Sequence, residues 1–437
     1  MRSSPVEKPS RDAAPQAPKI LPLSNAEVSS FVTRFLHRGE SFLETARSCG
    51  SPLYAFDRSA LHNRILDFQR AFARVMANVD TYYAIKSNNH PAIVADVVGA
   101  GLGLDVSSGT ELAMALTSKA ERIVFSGPGK TAEELQAAVA HSARVIVHLD
   151  SFGELERLER VAAQAGQRVR VGIRLCTGEH GIWRKFGISP DDLGRFLARA
   201  ETCEHVDVCG LQFHLSWNTD PSRYEQFIAR LGKILRSLAA PERSRLSFID
   251  VGGGYWPPDG EWLQFAATPE GRTGDHEDTP AADYRRRFKQ EASSIDEFAR
   301  SIAEALQTHI PADMKYRVFV EPGRWICHEA MHILVTVVDR KNDDLVIVDG
   351  GINAVGWERY ESDYFPVINL TRPGLTEQPC LVAGSLCTPH DIWGYSYFGE
   401  GIEVGDVLLV PNQGAYTYSL RQHFIKPPPE VVVLRDT

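Results

Sequence analysis

No run of about 18 apolar residues occurs anywhere in this chain, so its sequence offers no membrane-spanning helix. It also lacks any basic block. The formal charge of −9 argues against a surface for nucleic acid or anionic membrane. Cysteine is scarce: the seven present show no zinc-type pairing, and an odd number suits reduced thiols better than a disulfide framework. No metal site is expected. Residues 1–19 have no apolar core of the signal-peptide kind and are rich in Pro, Ala, Ser and charge, which reads as a disordered tail. What is present is an apolar fraction of 43% in 437 residues, enough for one large core and a smaller one. A cytoplasmic enzyme is the expectation.

The stretch Tyr82-Tyr83-Ala84-Ile85-Lys86-Ser87-Asn88 places one lysine directly after an apolar, aromatic run. A lysine at the mouth of a core strand usually snorkels to solvent or pairs with a carboxylate. If buried, it is expected to have a lowered pKa and to serve as an amine nucleophile. Later apolar runs end in His214, in Gly252-Gly253-Gly254 and in Glu321-Pro322-Gly323-Arg324. Together these are the parts needed to hold a phosphorylated, aldehyde-bearing cofactor.

From about residue 81 the pattern alternates. Apolar runs at Thr81–Ile85, Leu102–Val106, Arg122–Phe125, Arg144–Leu149, Arg168–Leu175, Val206–His214, Leu246–Val251 and Tyr316–Val320 are separated by stretches of helical periodicity. Such alternation fits a (β/α)8 barrel of the TIM type, with an open doubly wound sheet as the alternative. The polar residues favour the barrel. Lys86, Asp105, Ser126-Gly127, Asp150, Arg174, His214, Gly252–Gly254 and Glu321 each close a different strand, whereas an open sheet gathers its site at one switch point.

Residues 56–325 are therefore assigned to the barrel. Short β-branched runs after it (His332–Val338, Leu345–Val348, Pro379–Val382, Val407–Val410) assign residues 326–437 to a second, all-β domain. Residues 20–55 precede the barrel and are expected to lend a strand, assigned to the β domain. Trp256–Ala282, dense in Pro, Gly, Asp and Thr, is expected to be a mobile flap beside the site.

Eight motifs in order now carry a family resemblance. They are Tyr83-Ala84-Ile85-Lys86-Ser87-Asn88, Gly103 through Leu112, Lys185-Phe186-Gly187-Ile188, Phe213-His214, Asp250-Val251-Gly252-Gly253-Gly254, Glu321-Pro322-Gly323-Arg324, Cys387-Thr388-Pro389-His390-Asp391 and Gly414-Ala415-Tyr416. From about residue 50 to 425 the chain resembles the fold-type III pyridoxal-phosphate decarboxylases, which act on diaminopimelate, ornithine and arginine. The resemblance implies an alanine racemase-like architecture, pyridoxal 5′-phosphate as cofactor, and a homodimer with shared sites acting on a small amino acid.

It also implies roles. Lys86 would hold the cofactor aldehyde as a Schiff base. His214 would stack on the pyridine ring, and Ser216 would lie on the wall beside the phosphate. Gly252, Gly253 and Gly254 would offer bare N–H groups to that phosphate, with Gly323, Arg324 and Tyr416 completing the grip. Asp105 and Arg174 either shape the cofactor's surroundings or form a structural ion pair. Glu321 would keep the pyridine nitrogen protonated. The related barrel racemases place an arginine there, so a carboxylate points to decarboxylation. Cys387, from the partner subunit, would protonate Cα.

The substrate side departs from the family pattern. Thr388-Pro389 follow Cys387 where the family carries an acid, leaving Asp391 to compensate. The Arg-Pro-Ala-Leu-Tyr run of diaminopimelate enzymes is absent, and Arg359 is the nearest candidate for a substrate carboxylate. The expected substrate is a diamino, D-configured or modified natural-product amino acid. A racemase or epimerase, and a catalytically inactive regulatory homologue, stay open as alternatives.

Overall fold

The computed structural model describes residues 20–178, 181–268, 285–356 and 362–434. The tail at 1–19 and residues 269–282 of the expected flap lie outside the described residues.

Eight parallel strands close into a barrel: Val79–Ala84, Gly103–Val106, Ile123–Phe125, Val145–Leu149, Val169–Leu175, Val206–Phe213, Phe248–Asp250 and Arg317–Val320. The last strand pairs with the first and with the seventh, so no barrel edge is left open. The open doubly wound sheet is thereby excluded. Parallel strands buried on both faces need apolar side chains at nearly every position, which is why these segments stand out as continuous apolar runs.

Inside the barrel, Tyr82, Val124, Cys209, Phe248 and Phe319 form a separate cluster, with the Phe248 and Phe319 rings stacked 4.5 Å apart. Gly210 makes room for it, since a Cβ there would lie 2.4 Å from the Phe248 ring. The plug fills the barrel, so it is a core and not a pore.

After the second, third and fourth strands, short turns lead onto a capped helix. Ser108 accepts from the Glu111 N–H, Thr131 forms a capping box with Glu134, and Ser151 accepts from Glu154 N–H. Capping chemistry and site chemistry therefore occupy neighbouring residues at one end of the barrel.

The β domain forms around the long strand Met331–Asn342, which pairs antiparallel with Leu345–Val348, Val407–Val410 and Leu53–Phe56. Glu430–Val433 adds in parallel beside Leu53–Phe56. The strand from the N-terminal segment thus pairs in the β domain, not in the barrel. Ile392–Phe398 and Glu430–Val433, unread in the sequence, are further strands of this sheet.

The first part of the expected flap is ordered. Trp256 is buried, and Glu261–Gln264 pairs with Arg287–Gln290, which also pairs with Ile20–Pro22. A buried bidentate pair fixes this three-stranded sheet to the β domain: Arg287 donates to Glu377 at 2.6 and 3.1 Å, and also to Tyr364 and Asn25. A buried charge pair tied by this many hydrogen bonds is a rigid joint, which a composition rich in Pro and Gly does not reveal.

Candidate active site

The carboxyl ends of the strands open into a cavity of about 1040 Å³. Lys86, Arg174, His214, Ser216, Gly254, Glu321, Gly323, Arg324 and Tyr416 line it, so residues from across the sequence prediction meet at one place.

Lys86 sits in a single 3-10 turn, Ile85–Ser87, after the first strand, and its Nζ donates to Asp105 Oδ2 at 2.5 Å. Asp105 is fully buried at the end of the second strand and accepts from Ser126 Oγ at 2.5 Å. The sequence expectation of a lowered lysine pKa is overturned. Burial does act to lower it, but the Asp105 and Glu321 carboxylates outweigh burial and hold Lys86 above its ordinary 10.5. Before it meets an aldehyde, the amine is an ammonium.

Asp105 and Arg174 do not pair with each other. Arg174 lies 3.6 Å from Asp150 and over the Phe186 ring. Asp150 also accepts from Gly187 N–H, tying the Lys185-Phe186-Gly187-Ile188 turn to the fourth strand's end. Beneath it, buried Lys130 donates to Glu154, Gly127 O and His148 O at 2.7–2.8 Å, locking two strand ends together.

Glu321 follows the eighth strand and is almost completely buried. Burial works to raise its pKa, but the contact with His214 and the charge of Lys86 outweigh it and hold the carboxyl at about 2. Next to it, Asp250 goes the other way: burial and the neighbouring Glu321 charge push it well above the usual range. The two neighbouring carboxyls are thus pushed in opposite directions, Glu321 down and Asp250 up. His148 completes this cluster, with its Nε2 3.8 Å from Asp250 Oδ2, and burial lowers its pKa to about 3. All three groups have ligand atoms within 4.8 Å of one another, a spacing that also suits a cation.

His214 is neutral, its pKa lowered first by burial. Its Nδ1 accepts from Gly253 N–H at 3.2 Å and lies 3.3 Å from Glu321, while Nε2 is 3.1 Å from Ser216 Oγ. The Gly252 N–H is likewise engaged, by Asp250 Oδ1 at 2.8 Å. Of the glycine run, Gly254 is the member that lines the cavity. Its φ is +100°, and a Cβ would fall 1.9 Å from Leu215 O, so only glycine fits.

Of the two substrate candidates, the structure describes one. Asp391 is buried away from the cavity, and its oxygens accept from Ile352 N–H at 2.7 Å and Leu386 N–H at 2.6 Å. It folds the Cys387 loop and is not placed to grip a substrate. Arg359 lies outside the described residues. Cys387 itself is exposed and does not line its own chain's cavity. The sequence reading missed His148, Trp183, Trp217, Glu261 and Asp363. A histidine in an apolar strand two residues before Asp150 was the available signal for the first.

Residues 59–265 match the family described as pyridoxal-dependent decarboxylase, pyridoxal binding domain. The chain is related to the fold-type III pyridoxal-phosphate decarboxylases.

Among relatives of this family, diaminopimelate decarboxylase of Aquifex aeolicus is 26% identical over 415 residues, covering 91% of this chain and 89% of that protein. A Staphylococcus aureus enzyme, 2-((L-alanin-3-ylcarbamoyl)methyl)-2-hydroxybutanedioate decarboxylase, is 25% identical over 412 residues, covering 88% and 94%. The structure of diaminopimelate decarboxylase from Helicobacter pylori complexed with L-lysine aligns with a TM-score of 0.70 at 24% identity, covering 87% of this chain and 90% of that one.

The family cofactor is pyridoxal phosphate, and the donor set here suits it. One amine, one buried carboxylate held ionised, and an arginine beside a glycine turn match an aldehyde, a ring nitrogen and a phosphate. The chain is a pyridoxal-phosphate-dependent carboxy-lyase. Among the described residues no helix is long and apolar enough to cross a membrane.

Proposed function

We propose that this chain removes the α-carboxylate of a diamino or otherwise modified amino acid, with Lys86 as cofactor lysine, Glu321 at the pyridine nitrogen and Cys387 of a second copy as the proton donor to Cα. The observation that carries the proposal is the placement of Glu321, which lines the cavity with Lys86, is almost completely buried and lies 3.3 Å from His214 Nδ1. A carboxylate kept ionised in a buried site stabilises a protonated ring nitrogen, and bound pyridoxal phosphate then acts as the electron sink for the bond that breaks.

The surrounding residues have definite tasks. Asp105 anchors the Lys86 amine at 2.5 Å, and Ser126 fixes Asp105 in turn. His214, neutral and held by Gly253 N–H, presents an uncharged flat ring to the cavity. Gly254, Gly323, Arg324 and Tyr416 gather where a phosphate would bind, with Arg174 and Ser216 on the adjoining walls. The exposure of Cys387 outside its own cavity fits a thiol delivered to a partner's site. Glu261 and Asp363 on the cavity wall favour a substrate with a distal positive charge, and Trp183 and Trp217 provide apolar surface near the mouth.

A panel of α-amino acids, D and L, scored for CO2 release tests this reading. At least one diamino or modified member should release CO2 stoichiometrically, and Glu321→Gln should lower that rate by about 10²-fold while Lys86 still carries the cofactor. Solvent-deuterium exchange at Cα across the panel with no CO2 would refute decarboxylation and favour racemisation.

A further inference from the structure

Three distant segments converge on Arg324. Its guanidinium carbon lies 4.4 Å from the centroid of the Trp256 indole and 4.9 Å from that of the Tyr416 ring. Both distances are within the range in which a ring face attracts a cation. Neither aromatic is free to drift. Trp256 is 7% exposed and its backbone N–H donates to Asn218 O at 3.1 Å, while the Asn218 backbone N–H donates to Gly254 O at 3.0 Å. The backbone that carries the indole is therefore tied to the glycine turn itself. Tyr416 has φ +56°, a conformation uncommon for a non-glycine residue, and its N–H donates to Ser87 O, next to Lys86. Close approach holds that loop down, since a Cβ on Gly414 would fall 1.7 Å from Cys327 O.

We infer that Trp256 is a positioning residue for the cofactor phosphate, fixing the plane of Arg324 between its indole and the Tyr416 ring. A planar guanidinium grips a phosphate through paired donors only in certain orientations, so its rotational freedom matters as much as its charge. The inference rests on the proposal that Arg324 faces the phosphate. It gives the start of the long segment after the glycine run a role in binding, where its composition alone suggests a cover.

The test measures binding by apoenzyme of two ligands, pyridoxal phosphate and pyridoxal, which differ by the phosphate. Trp256→Ala should weaken pyridoxal phosphate by about 2- to 30-fold, the span of one cation–π contact, and leave pyridoxal unchanged. Trp256→Phe should recover most of the loss. In an Arg324→Ala background, Trp256→Ala should add nothing further. Equal weakening of both ligands, or wild-type binding of both, would overturn the inference. So would a full additional loss in the Arg324→Ala background. If Arg324→Ala alone leaves pyridoxal phosphate binding intact, the phosphate assignment of Arg324 has failed, a result distinct from failure of Trp256 alone.

Discussion

Replacing Asp105 with Asn should make Lys86 a better nucleophile in the apoenzyme, although the contact being broken is its closest one. The ammonium and carboxylate are 2.5 Å apart, and the lysine side chain is 32% exposed to the cavity. With an effective dielectric of about 40–80 for a partly solvated pair, the attraction is about 2–3 kcal/mol, or about one to two pKa units. Asn retains an acceptor for Ser126 but offers no charge to the lysine. Burial, which already acts to lower the Lys86 pKa, then meets less opposition. At pH 8 the neutral fraction of the amine should rise about 10- to 100-fold. Trinitrophenylation of the apoenzyme, quantified on the Lys86 peptide by mass spectrometry, reads that fraction directly. Linkage gives the accompanying sign. A folded pKa above the ordinary 10.5 stabilises the wild type fully below that pH and is lost as pH rises through the folded value. The wild-type apoenzyme should therefore lose stability above about pH 10.5 more steeply than Asp105→Asn. Labelling of Lys86 that is unchanged or slower in a folded Asp105→Asn protein would show that the carboxylate does not set the amine's charge.

Two further outcomes follow from the geometry. Mixing Lys86→Ala with Cys387→Ala chains, each nearly inactive alone, should restore about a quarter of wild-type activity. Random exchange puts half the chains in heterodimers with one intact site each, and no recovery despite exchange seen by native mass spectrometry would rule out a shared site. Glu377→Ala should cost about 3–5 kcal/mol in urea unfolding because it leaves Arg287 charged and buried, and a cost below about 1 kcal/mol would show that the pair is not the joint described above.

The barrel was legible because burial on both faces forces every strand to declare itself. Each of the eight apolar runs overlaps an observed strand, and the polar residue after each marks the site end. The β domain was less legible. Ile392–Phe398 mixes Gly, Ser and aromatics, and its order comes from pairing with Glu377–Ala383, a contact outside local periodicity. Turn-rich composition likewise misled at Trp256, where the backbone is held by Asn218 and the buried ring packs on Arg324.

The site was legible as a set of residues but not as a set of charges. Lys86 is 19 residues from Asp105 and far in sequence from Glu321, so the sign of its pKa shift depends on distances that only the closed barrel creates. The same holds for Asp250 and Glu321, two acids of similar burial that part in opposite directions. Burial acts to raise both, but Glu321 has the His214 contact and the Lys86 charge to favour its anion, whereas Asp250 has chiefly the Gly252 N–H and the Glu321 charge beside it. Once the barrel closes the two cannot both ionise without mutual repulsion, and the acid with the more favourable neighbours keeps the charge. Glu321 is the acid held low, at the place where the ring nitrogen is proposed to bind.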